Sequence, residues 1–232
     1  MDEGTLDWIE SNETILFPER PSKAFGDRVT AITVMATIER FAPKIEWYSH
    51  PLLADSIHGL RHTMRVIALA HVIAETIETR VARTEILLAA ALHDLRREND
   101  RQDPSHGQRA ATWWLQNRSA ICDTFHVDLV QQDLVFQLIR LHELPSEDFS
   151  PDDFSSYETW RKDVDALKLA DALDRYRLPK AKWWIDDNKT QLKASAGLKN
   201  LAFQLMVRSE RHFLGGQAAK SAVLDAVLET LR

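Results

Sequence analysis

One stretch constrains this chain more than any other. Leu87 to Leu92 reads LLAAAL, His93 and Asp94 follow, and the chain then turns polar as LRREND up to Asp100. An alanine- and leucine-rich segment of this kind reads as a core helix. An ionised carboxylate at its end costs several kcal/mol or more unless it is paired or holds a metal. A histidine beside that carboxylate therefore points to a metal site, provided the other ligands come from elsewhere in the chain.

The rest of the sequence also reads as helix. Residues 1 to about 25 are polar, with Pro18 and Pro21, and are expected to form an extended or loosely attached arm. Asp27 is the expected N-cap of a helix over residues 28–41, with Val29, Ile32, Ile38 and Phe41 at helical intervals and Pro43 after its end. A connection broken by Gly59 leads to a long helix from about Arg61, whose Val66, Leu69, Ala70 and Ile73 supply a buried face. Thr84 opens the helix of the first stretch, with Glu85 in its first turn, where the helix dipole favours an acid. The polar loop 96–107 ends on Asp103-Pro104, read as N-cap and first helical residue of the next helix. Further helices are expected over 127–142, with Leu129, Leu134, Ile139 and Leu141 apolar, and over 160–178. Loop residues around Pro145 and Pro151 separate those two, and Pro179 stops the second. Two amphipathic pieces, about 198–210 and 218–231, flank Gly215-Gly216. With no strand alternation and no repeat, the expectation is one all-α domain: an arm and helix over 1–50, a core over 51–180, and C-terminal helices over 181–232 packed on it.

Composition closes off several functions. The net charge of -6, without a long basic run, argues against bulk affinity for nucleic acid or an anionic membrane. Cys122 is the only cysteine, so there is no disulfide framework; it reads as a small buried hydrophobe in a reducing, cytoplasmic setting. The acidic N-terminus does not resemble a signal peptide, and no apolar run reaches bilayer length.

Histidines and acids gather at the helices and their ends. His58 and His62 are four apart, His93 and Asp94 adjacent, His106 in a first helical turn, His142 at a helix end, and Asp171 within the 160–178 helix. Imidazoles with carboxylates suit Mn, Fe, Ni, Co or Zn, and the lack of cysteine ligands argues against structural zinc. His50, His71, His126 and His212 match no pattern and read as surface or packing residues. Trp113-Trp114 and Trp183-Trp184 invite a base-stacking role, yet aromatics at helical spacing more often belong to a core.

The order His62, His93-Asp94, Asp171 resembles the signature of the HD-domain superfamily of metal-dependent phosphohydrolases. The wording around each motif fits as well: HGLRHTMRV, AALHDLRREND, DPSHGQRAA, LIRLHE and LADALDRYRL. These are similar to a subgroup with HGxxHxxRV, HDxxRxND, DxxHGxRAA and a closing ADxLD, over about residues 55 to 180. Leu169 departs from the pattern, since relatives often carry an acid two residues before the last ligand.

The resemblance implies an HD-like helical bundle with the site between core helices. It implies a first metal held by His62, His93, Asp94 and Asp171. In members with two ions, Asp94 would bridge and His106 and His142 would complete the second centre. In members with one, those histidines contact phosphate or donate a proton. The implied substrate is a small phosphoester, with a nucleotide the leading class, hydrolysed with Mn, Fe, Ni, Co, Zn or Mg. Arg97, Arg109, Lys168 and His58 are the candidate substrate contacts, with Arg177 a weaker one. Two rival readings stay open, an HD-type di-iron oxygenase and a nucleotide-sensing module without turnover. Oligomerisation is also open.

Overall fold

The structure is a computed structural model that describes residues 1–17, 25–26, 28–77 and 81–232. Among the described residues there are ten α-helices, short 3₁₀ turns and no strand. The expected all-α class is therefore observed.

Helix α4 (Leu60–Thr76) runs through the middle, and every residue from Arg61 to Ile73 is buried. It meets α5 (Arg83–Leu92), α8 (Pro151–Leu173), α3 (Ala31–Phe41), α9 (Ala196–Leu214) and α10 (Ala219–Thr230). One buried face was too modest an expectation for a helix enclosed this way. Its N-cap Gly59 has no room for a side chain, because a Cβ would lie 2.2 Å from the Ala54 carbonyl oxygen. Helix α5 is also enclosed, with Glu85 to Leu92 buried, as its alanines and leucines predict. Helices α6 (His106–Phe125) and α7 (Gln132–Leu141) pack as a pair, and α7 bridges α5 and α8. No described helix is long and apolar enough to cross a membrane.

Several boundaries differ from expectation for local reasons. The arm is helical over α1 (Glu3–Ser11) and α2 (Glu13–Leu16), and Leu6 and Ile9 are buried where α1 meets α9. Pro18, Pro21 and Asp27 lie outside the described residues. Helix α3 is capped by Thr30, whose hydroxyl accepts from the Thr33 amide while Thr33 accepts from the Thr30 amide. Such a box satisfies two otherwise orphaned donors. Ile32 then points outward, 78% exposed.

Asp103 does not cap α6. Its carboxylate accepts from the Glu98 amide at 2.7 Å and holds Arg109, which braces the loop, and Ser105 precedes the helix with a left-handed φ of 71°. Helix α7 begins only at Gln132, so Leu129 is 93% exposed. Helix α8 begins at Pro151, earlier than expected, because Ser150 and Asp153 form a second capping box with proline at the first turn; Trp160 interrupts the helix locally. Trp114 and Trp184 are buried, Trp113 is half-buried and Trp183 more exposed. Cys122 is half-buried rather than fully enclosed.

Candidate metal centre

The centre forms where α4, α5, α6, α7 and α8 each contribute one end or one inward face. His62 comes from the first turn of α4, His93 and Asp94 from the end of α5, His106 from the start of α6, His142 from the end of α7, and Asp171 from the last turn of α8. All except Asp171 are buried, and the Asp171 side chain, 27% exposed, is the most accessible of the six.

The ring nitrogens reveal the chemistry. His93 Nδ1 lies 2.8 Å from the Ala90 carbonyl oxygen and His142 Nδ1 lies 2.6 Å from that of Ile139. A carbonyl only accepts, so each Nδ1 is the donor and, in the neutral ring, Nε2 carries a lone pair. His106 Nδ1 is held likewise, 2.7 Å from the Asp103 carbonyl oxygen and 2.8 Å from Glu143 Oε2. His62 Nδ1 faces Asp174 Oδ2 at 2.8 Å. Asp174 is kept ionised, its pKa far below the usual carboxylate range, by Arg65 above all and by the bond to His62. It too can only accept.

Four Nε2 atoms are thereby turned inward and meet in pairs. His62 Nε2 and His93 Nε2 are 3.2 Å apart, and His106 Nε2 and His142 Nε2 are 3.1 Å apart. Two neutral imidazoles cannot hydrogen-bond lone pair to lone pair, so each pair is placed to share a cation or a proton. Carboxylates complete both pairs. Asp171 Oδ1 and Asp94 Oδ2 lie 3.4 Å from His62 Nε2. Asp94 Oδ1 lies 3.0 Å from His106 Nε2 and 3.7 Å from His142 Nε2. One Asp94 oxygen thus serves each pair.

The two pairs differ in charge. Burial holds His93 neutral, its pKa pushed down to about 3, while Asp171 is ionised at about 2 against the desolvation of its carboxyl, through the histidines beside it. That half is a ready set of deprotonated donors. His106 is the opposite: bonds to Asp94 and Glu143 outweigh burial and raise it to about 10. In the metal-free molecule a proton occupies the second half. The donor set fits divalent metals, because separations of 3.0–4.0 Å let two rings and a carboxylate share one ion at about 2.0–2.2 Å. Three histidine and aspartate groupings in this cluster meet the geometry for ligation: His58, His62 and Asp94; His62, His93 and Asp171; and His93, Asp94 and His142.

The chain matches no protein-family model, no curated protein and no solved structure.

The six expected ligands, His62, His93, Asp94, His106, His142 and Asp171, come together in one cluster. His58 joins them, Nδ1 lying 3.0 Å from Asp94 Oδ2 and 3.2 Å from an Arg177 nitrogen. Arg97 reaches Asp94 Oδ1 at 3.5 Å, while its other nitrogens donate to the Asn99 and Arg101 carbonyls. Arg109 is placed elsewhere: it grips Asp103 at 2.6 and 2.7 Å and donates to the Arg96 carbonyl, holding the loop before His106. Arg177 is buried and donates to the Ile57 and Asp174 carbonyls. Lys168 donates to the Leu144 carbonyl beside the Phe149 ring and feels Asp171 electrostatically.

Asp174, Glu143 and Arg65 are site residues that the sequence reading left without a role. All three lie inside the quoted motifs. Asp174 is three residues after Asp171, and Glu143 follows His142 and also accepts from the Gly107 amide at 2.7 Å.

Proposed function

We propose that this protein is an HD-type metal-dependent phosphohydrolase of a small phosphoester, with a nucleotide as the leading substrate class. The observation that carries the reading is the pair of inward Nε2 atoms on His62 and His93, 3.2 Å apart, with each Nδ1 committed as a donor and Asp171 beside them. His62, His93, Asp94 and Asp171 would hold the first ion, and His106 and His142 with Asp94 a second. A divalent ion there supplies Lewis-acid polarisation of a phosphoryl oxygen and brings the pKa of water down, to about 7 in favourable zinc sites.

The chain's own residues do the rest. Asp94 links the two halves through its two oxygens. His106, between Asp94 and Glu143, holds a proton at Nε2 that can pass to a leaving oxygen while only the first half is filled. Lys168 is the cation this reading assigns to the substrate phosphate, with His58 and Arg97 at the rim of the cluster. Protein loaded with Mn, Co, Ni or Mg should cleave a generic aryl phosphate. Asp94→Ala, with its helical circular dichroism intact, should reduce that activity to background; unchanged activity would refute the assignment.

A second reading follows from one feature of the donor set. Each half presents two histidines and a carboxylate, the ligand type of non-haem iron oxygenases. Iron retained on purification, a di-iron absorption band and substrate-dependent oxygen uptake would favour it over hydrolysis. Tight nucleotide binding with neither activity under any metal would favour a sensing module.

A further inference from the structure

Behind His62 lies a chain of buried charges that metal ligation alone does not require. Asp174 accepts His62 Nδ1 at 2.8 Å and is gripped by Arg65, whose Nε and one terminal nitrogen reach its two oxygens at 2.6 and 3.0 Å. The other terminal nitrogen of Arg65 donates to Glu210 Oε1 at 2.7 Å and Ser209 Oγ at 3.1 Å. Glu210 also accepts from Arg61 Nε at 3.1 and 3.2 Å, and the Arg61 guanidinium lies 3.5 Å from the centre of the Phe213 ring. Asp174 and Ser209 are 0% exposed, Arg65 1%, and Arg61 and Glu210 3%.

Glu210, Ser209 and Phe213 belong to α9, outside the stretch that carries the motifs. Enclosing this many charges is costly before pairing, and apolar side chains of similar volume often serve stability as well or better. The chain's end point is informative: it terminates on the far nitrogen of an inward-facing imidazole. A carboxylate behind a ligating histidine fixes the tautomer and the ring's orientation. Arg65 is thus held at both edges of its planar fork, by Asp174 on one and by Glu210 and Ser209 on the other.

We propose that Glu210 of helix α9 is a positioning residue for the metal centre, acting through Arg65 and Asp174 to hold His62 as the Nδ1–H tautomer with Nε2 facing the ion. This rests on the metal reading above and adds that the C-terminal helices are part of the centre's support. The dependence is specific to one half, because His93 and His142 are oriented by main-chain carbonyls of their own helices.

The test uses the full chain carrying Glu210→Gln, Asp174→Asn or Arg65→Lys, with Arg211→Ala as a control. Arg211 is the next residue on α9 and pairs at the surface with Asp7 and Glu10, so its loss loosens the helix without touching the charge chain. Two readouts are taken: Co(II) titration followed by visible absorption, and the ¹⁵N shifts of the His62 ring in metal-free protein. Glu210→Gln and Asp174→Asn are expected to weaken Co(II) binding by about 10–100-fold. They should also alter its absorption bands and move the His62 nitrogens towards the Nε2–H pattern. Arg211→Ala should lower Tm and change neither readout. Should Glu210→Gln not fold, Arg65→Lys, which keeps the charge and removes the fork, should reproduce the shifts. Wild-type affinity, bands and nitrogen shifts in the folded variants, or equal changes in Arg211→Ala, would overturn the proposal. If wild type binds no Co(II), the metal reading fails by itself. The His62 nitrogen shifts then decide alone, and their persistence unchanged in the variants overturns the positioning role too.

Discussion

Proton counting on metal binding distinguishes the two halves of the centre. His93, held neutral at about 3, and Asp171, ionised at about 2, carry no proton on the atoms that face the ion between pH 7.0 and 8.5. An ion entering their half displaces nothing from them, and its affinity should be flat across that range. His106, raised to about 10, does carry a proton there, and an ion that uses its Nε2 must expel it. One proton exchanged per ion means a tenfold gain in affinity per pH unit, so the second binding event should strengthen by about 30-fold over 1.5 units, or about 2 kcal/mol. A first ion nearby lowers the His106 value, and the rise bends over where pH meets that lowered value. Calorimetric titration with Mn(II) in two buffers of different ionisation enthalpy reads the released protons directly. The expected count is zero for the first event and one for the second. A second event whose affinity is flat and releases no proton would refute the assignment of His106 as its ligand.

Three further outcomes follow from the same geometry. An ion at 100 times its dissociation constant stabilises a folded site by about 2.7 kcal/mol, roughly 5–10 °C in Tm for a chain of this size; Asp94→Asn should lose most of that shift, and chelation should reverse it in wild type. A Cβ on Gly107 would lie 2.8 Å from the Ile139 carbonyl oxygen and 3.1 Å from that of Arg140, so Gly107→Ala should prise α6 from α7 and cost about 1–3 kcal/mol in urea unfolding. Buried His71, pushed down to about 4, stays neutral in the fold while the unfolded chain takes up a proton below about 6.5. Its contribution is therefore complete above pH 6.5 and drains away as pH falls towards 4. Between pH 6.5 and 5, wild type should lose about 2 kcal/mol more than His71→Leu, and parallel pH profiles would contradict this.

The parts of the fold legible in the sequence were those where one physical effect dominates. The LLAAAL run is enclosed because little else can be done with it, and Gly215-Gly216 does separate α9 from α10, with Gly216 at a φ of 96°. The misread ends are places where two signals compete. Asp103-Pro104 has the composition of a helix start, but Arg109 and the Glu98 amide claim the carboxylate, and the helix waits for His106. Pro151 is expected in a loop and opens a helix instead, because Ser150 and Asp153 cap around it. Leu129 would be an apolar helical position only if the helix reached it, and the helix starts at Gln132. In the site, ligand-type residues at helix ends were visible as such. Asp174 and Glu210 were not, because their role depends on Arg65, which comes from a helix more than a hundred residues earlier in the chain.

The structure also reweighs how an anionic substrate would be held. Arg109 and Arg177 are committed to protein acceptors, and Arg97 gives two of its nitrogens to loop carbonyls. Lys168 also donates to a carbonyl, that of Leu144, but unlike the arginines it titrates near neutrality. Burial lowers it to about 8, against the pull of Asp165, Asp171 and Glu147, so its charge is present at pH 7 and largely gone by pH 9. If this ammonium receives the substrate phosphate, KM should climb above pH 8 and reach roughly tenfold by pH 9, while kcat changes little, since a contact made equally in ground and transition states acts on KM alone. Lys168→Met should show the raised KM at pH 7 already and lose the climb. The measurement also bears on the rival chemistry, because an oxygenase acting on an uncharged carbon substrate has no use for that charge. A wild-type KM for a phosphoester in Lys168→Met would remove the lysine from the substrate site and with it the main cationic support for hydrolysis.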